Sequence, residues 1–196
     1  MAGPAGECVT KSICVFCGSA PGARPIYSRA AEELGTALAH QGITVVFGGG
    51  RLGLMGIVAD AALKAGGRVV GVIPRMLIER ECAHPNLTKQ HVVDTMHERK
   101  TLMADMSDGF VGLPGGMGTF DELIEIVTWA QLGLHAKPVI LCNIENYFAP
   151  MYGMLDHAVA EKFVTAESRA RWRNAEGVTQ VMRLLSKEGL AGEGFS

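Results

Sequence analysis

A chain of 196 residues, 48% hydrophobic and 19% charged, is long enough for one domain with a sizeable core and too apolar for a disordered one. Its formal net charge of −2, with no basic run, gives no electrostatic reason to expect DNA, RNA or an anionic membrane surface as partner. No apolar stretch approaches the length of a transmembrane helix, and residues 1–10 lack the charged and apolar regions of a signal peptide, so a disordered leader and a cytoplasmic protein are expected.

Strand and helix patterns then alternate along the chain. Residues 12–17 read as a strand and 18–22 as a turn. A helix follows over 25–40, with Pro25 in its first turn and Gly42 as its stop. Residues 43–47 form a second strand that runs into Gly48-Gly49-Gly50, and a helix over 54–65 stops at Gly66-Gly67. A third strand over 68–73 is closed by Pro74. A looser stretch over 75–90 leads to a short strand at 91–94 and a helix at 96–106. The strand at 110–113 ends in the turn Pro114-Gly115-Gly116, and a helix runs from Thr119 to 132. A sixth strand over 138–142 precedes helices near 147–162 and 179–187, with a flexible tail from 189. The apolar runs are continuous rather than alternating, as in buried parallel strands. The pattern predicts one Rossmann-like, doubly wound α/β domain over residues 11–188.

The five cysteines (Cys8, Cys14, Cys17, Cys82, Cys142) are an odd number without framework spacing, which suits a reducing compartment. Cys14 and Cys17 match C-x-x-C, but residues three apart on a strand point to opposite faces, so both read as core thiols. The six histidines show no metal-ligand spacing, and no metal site is expected. Ser19 follows a glycine but stands in no nucleophile elbow.

Glycines number 25, well above the usual share of roughly 7%, and many follow strands. Three such turns, at Gly18-Ser19, at 48–53 and at 114–118, fall at carboxyl ends of strands, where ligands of this fold sit. Glycine lets backbone N–H groups approach an anion, and a helix starting there adds the positive end of its dipole. Two such turns in one sheet point to a phosphate-bearing ligand. Residues 48–53 also satisfy G-x-G-x-x-G, the dinucleotide fingerprint. The following strand ends in Pro74-Arg75 with no acid for a ribose, which weakens that reading and leaves a 2′-phosphate open. No Walker A sequence is present. Glu122, in the expected first helical turn after a glycine loop, is within reach of a ribose whose phosphate sits on that loop. Carboxylates of this kind stabilise an oxocarbenium-like centre and orient water. Asp121 beside it suits the plainer role of complementing the helix dipole. Arg99 offers a fixed, always charged fork for phosphate or carboxylate.

Pro114-Gly115-Gly116-Met117-Gly118-Thr119-Phe120-Asp121-Glu122 resembles the PGGxGTxxE signature of the LOG family, the cytokinin riboside 5′-monophosphate phosphoribohydrolases. Gly48 through Gly56 is similar to the family's GGGxxGLMG loop, Met96-His97-Glu98-Arg99-Lys100 to its MHxRK helix start, and Thr128 through Gly133 to its continuation. The resemblance runs from about Ser12 to Phe163. It implies a hydrolase acting on N-glycosyl bonds of riboside 5′-monophosphates, cytokinin-type or AMP, with Arg99 and Glu122 catalytic. Lys100, Gly116, Met117, Gly118, Thr119, Thr128 and Glu81 match substrate-binding positions. Ser19, Gly49, Gly50, Met96 and Gly115, in the same turns and motifs, complete the expected binding set. Met117 stands where many members carry Tyr or Val. The resemblance further implies no cofactor and a homodimer or larger homo-oligomer. Two other readings stay open. A decarboxylase would need pyridoxal phosphate on a lysine, for which Lys100 is the candidate. A non-catalytic nucleotide carrier of the same fold would need only the glycine loops.

Overall fold

Strands rich in Val, Ile, Phe and Cys need cover on both faces, and the chain provides it by placing its helices in two layers. The computed structural model describes residues 11–187; the expected leader at 1–10 and tail at 189–196 lie outside the described residues. Seven strands, β1 (Ser12–Phe16), β2 (Thr44–Phe47), β3 (Val69–Pro74), β4 (Lys89–Val93), β5 (Gly109–Gly112), β6 (Val139–Cys142) and β7 (Trp172–Ala175), make one sheet in the order 4-3-2-1-5-6-7. Every neighbouring pair is parallel.

Helices α1 (Pro25–His40), α2 (Gly53–Lys64) and α7 (Val178–Lys187) cover one face, closing a core of Ile13, Val15, Val45, Leu34, Leu38 and Val58. Helices α3 (Met96–Asp105), α4 (Met117–Gln131) and α5 (Ala149–Ala160) cover the other, against Cys14, Phe16, Val46, Met103, Leu123 and Phe148. A short helix α6 (Ala166–Ala170) leads into β7. Cys14 and Cys17 belong to opposite cores and are free thiols, as strand periodicity requires.

The chain builds β1 to β4 outward in one direction, then returns to lay β5 beside β1 and builds outward the other way. Beyond the carboxyl ends of β1 and β5 the connections part, α1 to one face and α4 to the other. Such a switch point opens the crevice where ligands of open α/β sheets bind.

Four features depart from the sequence expectation. β7, Trp-Arg-Asn-Ala, has no apolar run because only Trp172 and Ala175 turn inward at this edge. β4 begins two residues early, at Lys89, since edge position tolerates the polar Lys89, Gln90 and His91. α4 begins at Met117 rather than Thr119, so Glu122 lies in the second helical turn, not the first. α5 begins at Ala149 rather than Tyr147, after a 3₁₀ turn at Ile144–Asn146 in which Glu145 and Asn146 both take positive φ.

Candidate active site

The three glycine turns interlock at the switch point. The Gly18 N–H donates to the Pro114 carbonyl (3.1 Å), and the Leu54 N–H donates to the Gly18 carbonyl (2.9 Å). The β1 turn therefore ties the turn after β2 to the turn after β5, with Ser19 exposed beside the junction. The two glycine classes of the β5–α4 turn differ sharply. A Cβ on Gly115 would stand 2.1 Å from Thr119 Oγ1 and 2.8 Å from the Gly18 nitrogen, whereas Gly116 and Gly118 face open space. The Tyr147 hydroxyl donates to the Gly115 carbonyl, and its ring packs edge-on against Tyr27. Nothing in the sequence marks Tyr147, which stands at the start of an expected helix.

Gly116 is the N-cap of α4 and no side chain caps the helix. The N–H groups of Met117, Gly118 and Thr119 thus have no intrahelical partner and point, with the helix dipole, at the crevice mouth. Thr119 is buried, while Met117 is 81% exposed at the rim.

The turn after β2 is roofed by a strap, residues 75–86. Gly49 takes φ +78, and its carbonyl accepts from the His84 N–H at 2.9 Å. Gly50 bridges Ala83 in antiparallel fashion, and the Arg51 N–H donates to the carbonyls of Glu81 (3.1 Å) and Cys82 (2.9 Å). This crossing carries Glu81 to the arginine beneath it.

That arginine is Arg99. A capping box starts α3: Thr95 Oγ1 accepts from the Glu98 N–H (3.1 Å), and Glu98 Oε2 accepts from the N–H of Thr95 (3.3 Å). The helix so begun turns Arg99 inward, where it is only 4% exposed. Its Nε donates to the Val72 carbonyl (3.2 Å), and its Nη2 to the Gly48 carbonyl (2.9 Å) and to Glu81 Oε2 (3.2 Å). Met96 packs its sulfur 3.9 Å from Nη1. A buried cation is tolerated when paired and hydrogen-bonded, and Arg99 is both.

Glu122 is half-buried on α4. Burial pushes its carboxyl up to about 7, the Arg99 and Lys100 charges pull it down, and Glu81 and Asp121 push it further up. The same carboxylate, after burial, raises the thiols of Cys14 and Cys17, as expected of a charge above the end of β1. Arg99, Glu81 and Glu122 thus form one electrostatically linked group at the carboxyl ends of the central strands. Active sites hold carboxyls shifted toward neutrality in this way, which makes Glu122 the candidate acid or base here.

Lys100 and Thr128 stand differently. Lys100 Nζ lies 2.7 Å from Asp121 Oδ2 and 2.9 Å from Glu125 Oε2, tying α3 to α4. Against the lowering effect of its own burial, those two carboxylates hold Lys100 above its usual value. Asp121 therefore has an ion-pair partner besides any helix-dipole role. Thr128, exposed, gives its hydroxyl to the Ile124 carbonyl (2.7 Å), about 9 Å along the helix from Glu122. The structure does not bring Thr128 to the crevice residues of one chain. Arg75, considered for a 2′-phosphate, lies 3.6 Å from Asp94. Among the described residues no three His, Cys, Asp or Glu side chains cluster as metal ligands.

Known proteins similar to this chain show its family. A family model described as "Possible lysine decarboxylase" matches residues 55–185. A protein of Rhodococcoides fascians named cytokinin riboside 5′-monophosphate phosphoribohydrolase is 46% identical over 177 residues, covering 88% of this chain and 89% of its own. An Arabidopsis thaliana protein of the same name is 47% identical over 159 residues, covering 81% of this chain and 75% of its own. Among solved structures, the X-ray structure of TM1055 matches with a TM-score of 0.67 at 25% identity, over 89% of this chain and 98% of that one. The molybdenum cofactor binding protein of Rippkaea orientalis has a TM-score of 0.67 at 20% identity, over 91% of this chain and 96% of that one; it shares the fold. With the glycine loops, the Met96–Lys100 helix start and Glu122 in place, the chain belongs to the LOG family of cytokinin riboside 5′-monophosphate phosphoribohydrolases.

Proposed function

We propose that this chain hydrolyses the N-glycosidic bond of purine riboside 5′-monophosphates, giving the free base and ribose 5-phosphate without a cofactor. The observation that carries the reading is the place of Glu122, in the second turn of a helix whose N-terminus is uncapped, where burial raises its carboxyl to about 7. The 5′-phosphate sits on the free N–H groups of Met117, Gly118 and Thr119. The ribose then extends toward Glu122, whose ionised form stabilises the oxocarbenium-like centre and orients the attacking water. Water loses its proton to the carboxylate, its oxygen bonds to C1′, the C1′–N bond breaks, the departing base takes up a proton from solvent, and Glu122 returns its own to solvent. Arg99 keeps Glu81 in place and holds Glu122 ionised close to neutral pH.

The decarboxylase label fits the site less well. A Schiff-base lysine must lose its proton, and Lys100 is held protonated by two carboxylates. A homodimer is supported by α5, an apolar helix with no buried residue, with Met154 58% and Phe163 88% exposed nearby in the chain. Free thiols at Cys14, Cys17, Cys82 and Cys142 support a reducing, cytoplasmic compartment, and no helix among the described residues is long and apolar enough to cross a membrane.

Chromatography of products after incubation with AMP and with N6-isopentenyl AMP tests the reading, with Glu122→Gln as control. Base and ribose 5-phosphate in equal amounts from the wild type alone are expected. Tight nucleotide binding with no base release would overturn hydrolysis in favour of a carrier.

A further inference from the structure

His84 is the one histidine among the described residues that is fully buried, 4% exposed, yet it sits in a strap whose neighbours Pro85 and Asn86 are exposed. Its ring is bonded at both nitrogens. The Asn86 N–H donates to Nδ1 at 3.3 Å, so Nδ1 is the acceptor and the proton is on Nε2. Nε2–H then donates to Asp60 Oδ1 at 3.0 Å, on α2. Nothing in the mechanism above uses either residue.

The surroundings say what this contact holds. The strap contributes little to either hydrophobic core; Arg75, Met76, Glu79, Arg80 and Cys82 are all exposed. Polar contacts fasten it: the Gly50–Ala83 bridge, the Arg51 N–H to Glu81 and Cys82, and the His84 N–H to Gly49. Cys82, directly after Glu81, is bent to φ +48, a conformation a non-glycine residue keeps only where its flanks are fixed. His84 is the flank on the carboxyl side. Its side chain fixes the strap to the helix that follows the glycine turn, while its backbone fixes the strap to the turn itself.

We propose that His84 and Asp60 form a latch that positions Glu81 against Arg99, acting on the reaction through the strap rather than by touching substrate. The proposal rests on the hydrolytic reading of the site and adds two positioning residues to it. Releasing the latch lets Glu81 leave Arg99, whose guanidinium then faces Glu122 with one carboxylate fewer to balance it. A displacement of about 1 Å at such a site costs on the order of a hundredfold in rate.

The variants separate the ring's two bonds. In His84→Gln the amide nitrogen stands near the place of Nε2 and still donates to Asp60; in His84→Asn the side chain is too short to reach it. Hydrogen exchange at the amides of Arg51 and His84, together with kcat and KM for N6-isopentenyl AMP as a function of pH, provides two independent readouts. His84→Ala, His84→Asn and Asp60→Ala should each accelerate exchange at these two amides while leaving the amides of β1 and β5 unchanged. Each should lower kcat by about ten- to a hundredfold and shift the pH at which activity is half-maximal downward, because Glu81 no longer raises Glu122 as strongly. His84→Gln should restore most of both, and His84→Ala combined with Asp60→Ala should lose no more than either alone. Unchanged amide exchange in His84→Ala overturns the latch. Faster exchange with unchanged kcat and pH profile overturns its positioning role. If the wild type releases no base, the hydrolytic reading falls and the positioning role with it, while the exchange measurement still reports whether His84 fastens the strap.

Discussion

Arg99 occupies the space that a side chain on residue 48 would fill: its Nη2 donates to the Gly48 carbonyl at 2.9 Å, and a Cβ on Gly48 would lie 2.1 Å from that nitrogen. The glycine and the arginine are therefore one structural unit. Gly48→Ala should displace the guanidinium, separate it from Glu81 and lower kcat by about a hundredfold or more. Arg99→Lys should fail to rescue activity, since one ammonium cannot reach Val72, Gly48 and Glu81 as a planar fork does. Initial rates on N6-isopentenyl AMP for the two variants check this; wild-type rates in Gly48→Ala would show that Arg99 moves without consequence.

The glycines of the β5–α4 turn should sort into two kinds. Gly115→Ala collides with Thr119 and with the Gly18 nitrogen and should destabilise the fold by about 1–3 kcal/mol. Gly116→Ala and Gly118→Ala meet nothing within 4 Å and should melt close to the wild type. If phosphate binds there, both should still raise KM. Thermal melts paired with KM values decide it, and unchanged KM in both would remove phosphate from this loop.

Glu122 makes stability and activity depend on pH in opposite senses. Its folded-state value, about 7, is raised from 4.5, so the folded protein binds the extra proton between those values. Stability from this group is then lost as pH rises from about 4.5 through 7, amounting to about 1–3 kcal/mol. Glu122→Gln should be more stable than the wild type at pH 8, with the difference vanishing near pH 4.5. Activity through ionised Glu122 should rise over the same range, with kcat/KM half-maximal near 7. Denaturant melts and rate profiles across pH test both. A profile falling through 7 instead would make Glu122 an acid rather than a base.

Lys100 tests how far the expected binding set extends. Its ion pairs with Asp121 and Glu125 fasten α3 to α4. Lys100→Met should cost on the order of 1 kcal/mol by melting and leave the affinity for ribose 5-phosphate within about threefold. A larger loss of affinity at unchanged stability would return Lys100 to the substrate.

Tyr147→Phe keeps the aromatic packing against Tyr27 and Phe148 and removes the bond to the Gly115 carbonyl. KM should rise by about three- to tenfold with kcat little changed, as expected for the loss of one positioning hydrogen bond of about 1 kcal/mol. An unmoved KM would leave the hydroxyl without a role.

The strand runs, the glycine turns and the chemistry-bearing motifs were legible because each depends on local sequence. The apolar run of β1 fixes its burial, and the run of three glycines after β2 announces a close approach. What was not legible depends on partners distant in the chain. Arg99 reads as a solvated or ligand-bound cation until Val72, Gly48 and Glu81 are seen around it. The ion pairs of Lys100 with Asp121 and Glu125 join two separate helices, which its motif does not announce. β7 carries little sequence signal because an edge strand of four residues buries only two side chains. The start of α4 was placed too late because a helix with a glycine N-cap and no side-chain cap leaves little signal.

The seam between β1 and β5 divides the candidate catalytic groups between two halves of the sheet. Arg99 and Glu81 belong to the half that runs from β1 to β4 and its connections, while the β5–α4 glycine turn and Glu122 belong to the half that begins with β5. Phe16 and Phe110 stack across this seam, with centroids 5.9 Å apart and planes within 3°. In the proposed mechanism, the stiffness of the sheet itself therefore sets how those groups are held together. A change of twist at these two buried rings would alter the separation of charges that the proposed mechanism needs together, so selection on that reaction would reach into the hydrophobic core.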